Sequence, residues 1–344
     1  METRAVEVLE YLQNNSGSSS KEIHDHITSG ISYATLKRIL THLLLEKLLV
    51  AKGQGRGTKY FVSSAFELLH PIDIDQYFRK EIDERKIKAV FNYGIFELLA
   101  ENDVLNEKEL VFVSRLQDQF TQKISELSEV EYKKELERLA IDLSWKSSQI
   151  EGNTYSLLET ERLLIERETA AGKSKEEAIM LLNHKDAIDF IIEHTDYLIP
   201  LSVSRIEDIH QILINGLGID RNLRKGRVGI SGTNYRPLDN EFQINEALNK
   251  MCEVVNRKKN IFEKALLTLV LISYIQPFMD GNKRTARIVS NAILMNYKYC
   301  PISFRTVNSI DYKKAILLFY EQNNLSVFKE IYLEQFNFAV NTYF

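Results

Sequence analysis

Only two cysteines, Cys252 and Cys300, occur in the 344 residues, far apart and each in apolar surroundings. That excludes a disulfide framework and any paired metal-ligand spacing, and both read as small buried side chains. Charge of one sign is also lacking: 44 Lys and Arg stand against 48 Asp and Glu, for a net charge of -4. A surface wholly coated for nucleic acid is therefore excluded, and any such contact must be a local patch. No apolar run approaches the ~20 residues needed to cross a bilayer; the longest, Ala265 to Ile275, falls far short. The opening METRAVEVLEYLQ is amphipathic and carries acids, unlike a signal peptide. These absences point to a cytoplasmic protein without a membrane partner. Internal repeats and low-complexity tracts are lacking too. What remains is a chain 44% hydrophobic, ordinary for a globular protein, with a length that suggests about two domains.

Residues 1–65 read as a first domain. Ala5, Val8, Leu9 and Leu12 repeat at helical spacing. Ser19 and Glu22 fit a capping box before a short helix that turns Ile23 and Ile27 inward. A third helix opens near Ser32, with Leu36, Ile39, Leu40 and Leu43 on one stripe. LLV, the Gly-rich tip AKGQGRGTK and YFV then read as a hairpin. Three short helices and a basic hairpin resemble a winged helix-turn-helix. Were it to bind DNA, Tyr33, Thr35, Lys37, Arg38 and His42 would face the major groove. Lys52, Arg56 and Lys59 on the wing would meet phosphates. With eight basic and six acidic side chains over those residues, docking to protein or to a second copy of the chain is an equal alternative. Residues 66–84 read as a connector.

The remainder, 85–344, reads as almost wholly helical, so the fold class is mainly α with one exception. In GRVGISGTNYRPL, residues 226–238, Val228 and Ile230 alternate before a turn at Gly232-Thr233-Asn234, which predicts a short β-hairpin. FEKALLTLVLISYI is apolar nearly all round and belongs in the core. It leads into YIQPFMDGNKRTAR, residues 274–287, and a new helix begins at the glycine. The first-turn N–H groups of that helix lack internal partners, and its dipole end is positive. Gly281 permits close approach of a ligand. Arg284 and Arg287, three apart on one face, can grip two phosphate groups. Asp280 is placed to hold a magnesium ion bridging them. A second feature lies on the helix Glu129–Ile150, where Leu136, Leu139, Ala140, Leu143 and Ile150 make an inward stripe. Ser147 and Glu151 continue that stripe just before Gly152. A carboxylate there opposes the helix dipole; it either meets a cation or sits on a fraying end turned to solvent.

Taken together, these residues resemble the Fic (Fido) family, whose signature runs His-Pro-Phe-x-Asp/Glu-Gly-Asn-Gly/Lys-Arg-x-x-Arg. Residues 277–287, PFMDGNKRTAR, match it throughout apart from the leading position. The resemblance implies transfer of AMP from ATP to a hydroxyl on a protein target. It implies Phe278 as a core anchor, Asp280 as the magnesium ligand, and Gly281, Asn282 and Lys283 as an anion hole for the α- and β-phosphates. Arg284 would meet the β-phosphate and Arg287 the γ-phosphate. Val228, Gly229, Ile230, Ser231 and Gly232 would form a flap that pairs with target backbone. SSQIEGN matches the family's inhibitory motif, Ser/Thr-x-x-x-Glu-Gly/Asn, with Ser147 and Glu151 in place near residues 129–153. There the glutamate would pair with Arg287 and keep the γ-phosphate out of position.

The departure is Gln276, where the family has a histidine that takes the proton from the attacking hydroxyl. An amide has no useful basicity, and loss of a general base costs about 10²- to 10⁴-fold in rate. His184, His194 and His210 lie on other helices. Three readings follow: slow transfer, a silent nucleotide-binding protein whose winged helix reports to DNA or to a partner, or a chemistry other than AMP transfer.

Overall fold

The computed structural model describes residues 3–28 and 30–344, apart from the side chains of Thr3 and Arg56. Arg56, expected on the wing, therefore lies outside the described side chains. The chain begins with α1 (Thr3–Asn14), β1 (Ser18–Ser19), α2 (Ser20–His26), α3 (Tyr33–Leu45), β2 (Leu49–Lys52) and β3 (Lys59–Val62). The strands form one antiparallel sheet in the order β1-β3-β2, with Leu49 opposite Val62 and Ser18 opposite Tyr60. Local chemistry accounts for the boundaries. Ser19 and Glu22 cap α2 reciprocally, and the Ser32 side chain caps α3. The α3 stripe of Leu36, Ile39, Leu40 and Leu43 is buried.

Helices α4 (Phe66–Leu69) and α5 (Ile74–Arg79) follow, and residues 85–93 are irregular apart from one bridge at Val90. The body comprises α6 (Gly94–Glu101), α7 (Glu107–Glu126), α8 (Glu129–Ile150), α9 (Leu157–Glu166), α10 (Lys175–Glu193) and α11 (Val203–Leu213). It is completed by α12 (Glu241–Arg257), α13 (Ile261–Ile275), α14 (Asn282–Asn296), α15 (Ser309–Gln322) and α16 (Ser326–Thr342). The mainly α class expected of the chain holds. Among the described residues no helix is long and apolar enough to cross a membrane. Cys252 and Cys300 are buried and free.

Helix α13 is buried from Phe262 to Ile275, and α14 packs along it. Each fully buried Leu or Ile of that pair stabilises the fold by roughly 1.5–3 kcal/mol over its exposed state. Helices α8, α10 and α11 pack on α14 in turn. This wraps the α13–α14 loop in helices on most sides and leaves one face to residues 226–238.

Those residues differ from expectation. They make a turn at Ser231-Gly232 but no ladder; among the described residues the one bridge there is parallel, Val90 to Arg236. The cause is a buried guanidinium. Arg224 donates through Nη1 to Gly226 O at 2.6 Å and through Nη2 to Leu238 O, so it sits between the arms of the would-be hairpin. Tyr235 is drawn the other way, its ring 4.8 Å from Tyr274 and its hydroxyl on Tyr274 O at 2.9 Å. The Arg236 N–H is spent on Ala89 O.

Candidate functional site

The loop between α13 and α14 is fixed from its first residue. Gln276 adopts a left-handed backbone, φ 51° and ψ 60°, which costs a non-glycine residue of order 1 kcal/mol or more. Backbone and side-chain bonds hold it. Its N–H donates to Ile272 O at 3.0 Å, its carbonyl accepts from Arg224 Nε at 2.6 Å, and its Nε2 donates to Ser273 O at 2.6 Å. Phe278 is fully buried and lies flat on His210, with ring centroids 3.6 Å apart. Asn282 closes the loop on itself: Oδ1 accepts from Phe278 N at 2.7 Å and Nδ2 donates to Phe278 O at 2.8 Å. Gly281 has φ 80°, and a Cβ there would press on His210 and Ile214 at 3.4 Å. The dihedral favours glycine, and the contact leaves little room to spare.

Beyond Gly281 the geometry suits an anion. The first intrahelical bond of α14 runs from Thr285 N to Gly281 O. The N–H groups of Asn282, Lys283 and Arg284 therefore have no partner among the described residues, and no side chain caps the helix. They border a polar pocket of about 150 Å³ that also touches Glu151, Val228, Gly229, Gln276 and Asp280. Arg284 is 1% exposed, pairs with Asp280 Oδ2 at 3.3 Å, and leaves Nη1 buried without a partner. Such an orphaned guanidinium donor is costly unless an anion meets it. Of the anion-hole residues expected from the sequence, Asn282 contributes only its backbone, because the loop uses its side chain.

Magnesium fits this site in one way. Asp280 is 65% exposed at the pocket rim, with Oδ1 accepting from Gly281 N at 2.6 Å. No group of three or more His, Cys, Asp or Glu able to hold a metal exists among the described residues. A single carboxylate suits a cation that takes its other ligands from phosphate and water, as magnesium does.

Helix α8 delivers the counter-charge. Its C-terminal turn brings Glu151 to Arg287, Oε1 accepting from Nη2 at 2.8 Å, and to Lys283, Oε2 accepting from Nζ at 3.3 Å. Arg287 is fully buried; its Nε donates to Ser147 Oγ at 2.8 Å, its Nη2 also reaches Ser147 O at 3.0 Å, and its Nη1 has no partner. Burial pushes the Glu151 carboxyl up, but the charges and hydrogen bonds of Arg287 and Lys283 outweigh it, and the net shift is downward. The same glutamate, together with Tyr312, holds Arg287 above its ordinary value against the cost of burial. Residue Glu151 thus does not fray to solvent; it is one-fifth exposed and doubly paired.

Two histidines that sequence left unplaced belong to this neighbourhood, and His194 does not. His184, fully buried on α10, sets Nε2 2.7 Å from Ser147 Oγ, and burial followed by the charges of Arg287 and Arg284 drives it well below its usual range. It is neutral, and it steadies the serine that holds Arg287. His210 faces two carbonyl oxygens, Arg221 O at 3.3 Å and Asp280 O at 3.0 Å, so its ring bridges the segment after α11 and the loop. Neither stands in for the missing base. Arg224 was missed altogether. The only sequence signal for it was a cation in an irregular stretch, NLRKGR. On α3 Lys37 and Arg38 are exposed, while Lys59 of β3 is paired with Glu22 at 2.8 Å.

Comparison with known proteins agrees with the loop. Residues 200–294 match the sequence model of the Fic/DOC family, a span that contains the α13–α14 loop and Arg224. Protein adenylyltransferase Fic of Nematostella vectensis is 34% identical over 179 residues, covering 49% of this chain and 40% of that protein. Protein adenylyltransferase fic-1 of Caenorhabditis elegans is 25% identical over 180 residues, covering 48% and 34%. The chain therefore spans less than half the length of the curated relatives it matches. Among solved structures, Fic-1 from C. elegans superposes with a TM-score of 0.59 at 18% identity, over 72% of this chain and 80% of that one. A Fic domain containing signaling protein from Bacteroides thetaiotaomicron gives 0.57 at 19%, over 67% and 95%. The likeness in three dimensions carries the fold alone, and the sequence likeness to the Fic/DOC family lies in residues 200–294.

Proposed function

We propose that this chain binds ATP with magnesium over the start of α14. There it is built to pass AMP to a hydroxyl of a target protein laid along Val228 to Gly232. The observation that carries this reading is the set of unsatisfied donors converging on one pocket: three backbone N–H groups and the buried Arg284 Nη1. In the transfer, the target oxygen forms a bond to the α-phosphorus, pyrophosphate leaves, and the hydroxyl proton must go to a base. Magnesium, held by Asp280 and the phosphates, would supply charge neutralisation. Arg284 and the α14 N–H groups bind and orient the phosphates. The irregular arms at residues 226–238 support strand addition, because their backbone groups from Val228 to Ile230 have no backbone partner among the described residues. A second pocket of about 340 Å³, lined by Gly229, Ile230, Lys313, Ile316 and Leu317, adjoins the first and offers apolar walls for a base.

Glu151 holds the site off. While it occupies Arg287 and Lys283, neither cation is free for a terminal phosphate, so a triphosphate settles unproductively. Gln276 limits the chemistry further, since no proton acceptor replaces the histidine. The inward bonding of its amide favours a second reading: a catalytically silent nucleotide sensor that reports through the N-terminal domain, taken as a winged helix contacting DNA by Lys37, Arg38 and Arg56. A gel shift against genomic fragments tests that reading, and binding that survives alanine at all three positions would remove this face from consideration.

The deciding measurement is label transfer from α-labelled ATP and magnesium by Glu151→Gly and by Glu151→Gly with Gln276→His. Labelling by both variants is the result expected of a restrained transferase. Labelling by the double variant alone makes the natural protein a nucleotide binder without a base. If ATP fails to bind either variant, the nucleotide reading itself falls.

A further inference from the structure

A cavity of about 650 Å³ lies on the other side of residues 228–229 from the phosphate pocket, between residues 90–93 and the segment from Arg227 to Asp239. The two cavities share only Val228 and Gly229. Its walls are built, not incidental. Phe91 is buried and stacked on Tyr274 at 4.7 Å, and Tyr93 donates to Gln243 O at 3.3 Å with Lys250 Nζ 5.1 Å from its ring. Arg236 projects from a backbone pinned to Ala89 O at 2.9 Å.

The charge of this cavity is uncompensated on one side. Asp239 is already paired with Arg227 Nε at 3.3 Å. The exposed guanidinium of Arg236 has neither a hydrogen bond nor an ion pair among the described residues. A fixed aromatic wall with an unpaired arginine at its edge suits a carboxylate carried on an apolar stem. A polypeptide laid along Val228 to Ile230 would put a hydroxyl over the phosphate pocket and, a few residues along, a side chain into this one.

We propose that this cavity receives an acidic side chain of the target, so that Arg236 selects targets with a Glu or Asp near the modified hydroxyl. The inference rests on the reading of residues 228–232 as the target-docking edge. The probe is a set of fluorescein-labelled eleven-residue peptides with one central Thr and a single Glu walked through the flanking positions. A matched set carries Lys instead. Anisotropy titration of the full chain should show at least one register in which Glu binds about threefold tighter than Lys, the size of one exposed charge pair. Arg236→Ala should abolish that preference and Arg236→Glu invert it, with the ATP titration unchanged in both. Equal affinities in every register, or a preference that survives Arg236→Ala, overturns the assignment. Failure of all peptides to bind overturns it together with flap docking, while the separate ATP titration still reports on the nucleotide site.

Discussion

The two ends of the α13–α14 loop face the same pocket and are satisfied to opposite degrees. At Gln276 the backbone N–H, the carbonyl and the side-chain amide nitrogen all have short protein partners. At the start of α14, three N–H groups and a guanidinium nitrogen have none. Buried polar groups normally find partners, so the unsatisfied end is the one shaped for something from outside. The satisfied end has been absorbed into the core. Binding and acid–base chemistry sit a few residues apart here, and they are separable.

The largest expected effect breaks that contrast at its closed end. In the Glu151→Gly background, Gln276→His should raise label transfer by about 10²- to 10⁴-fold, the usual contribution of a general base. An unchanged rate would mean that the loop, not the residue, limits the chemistry. At the open end, Arg284→Ala should weaken ATP·Mg binding by roughly 10- to 100-fold in calorimetric titration, the worth of a charge-assisted bond. Equal affinities would show that the orphaned donor meets no phosphate.

A smaller effect is expected of the clamp. Glu151→Gly strips Arg287 of its carboxylate, and leaving a buried guanidinium underpaired costs about 1–3 kcal/mol. The free protein should therefore melt earlier, and ATP should restore more stability to the variant than to the natural chain, because the phosphate replaces the lost anion. Arg287→Ala should weaken binding of ATP more than that of AMP.

The smallest effect concerns pH. The Glu151 carboxyl is held below its ordinary value, so the stability it contributes is present above the unfolded value of about 4.5 and is lost only as pH falls through the lower folded value. His184 is likewise pushed well below its usual range, by burial and then by the charges of Arg287 and Arg284. ATP affinity of the natural chain, measured from pH 8 to pH 5.5, should show no step attributable to release of the clamp. A rise in that interval would place the carboxyl where the charges of Arg287 and Lys283 do not reach it.

What could be read without coordinates follows the range of the forces involved. Caps, apolar stripes and the left turn at Gly281 depend on residues a few positions apart. So α2 begins at its Ser19–Glu22 box, α8 carries its stripe into Ser147 and Glu151, and the loop residues stand in the order PFMDGNKR. The expected hairpin at 226–238 failed for the same reason turned round: alternation sets which side chains face inward, but Arg224 and Tyr235 find distant backbone partners that hold the arms apart. Whether Gln276 faced the pocket or the core was not a local matter either. It was settled by Arg224 and the end of α13.

The sequence by itself determined the helical elements, the phosphate-suited loop and the absence of a base at position 276. Only the tertiary structure decided that Glu151 also meets Lys283, 132 residues away, that His184 and His210 steady the site instead of serving it as bases, and that Arg236 is left unpaired beside residues 228–232. Periodicity and capping act over one turn of chain, whereas the worth of a charge depends on its neighbours in space and on the water they displace.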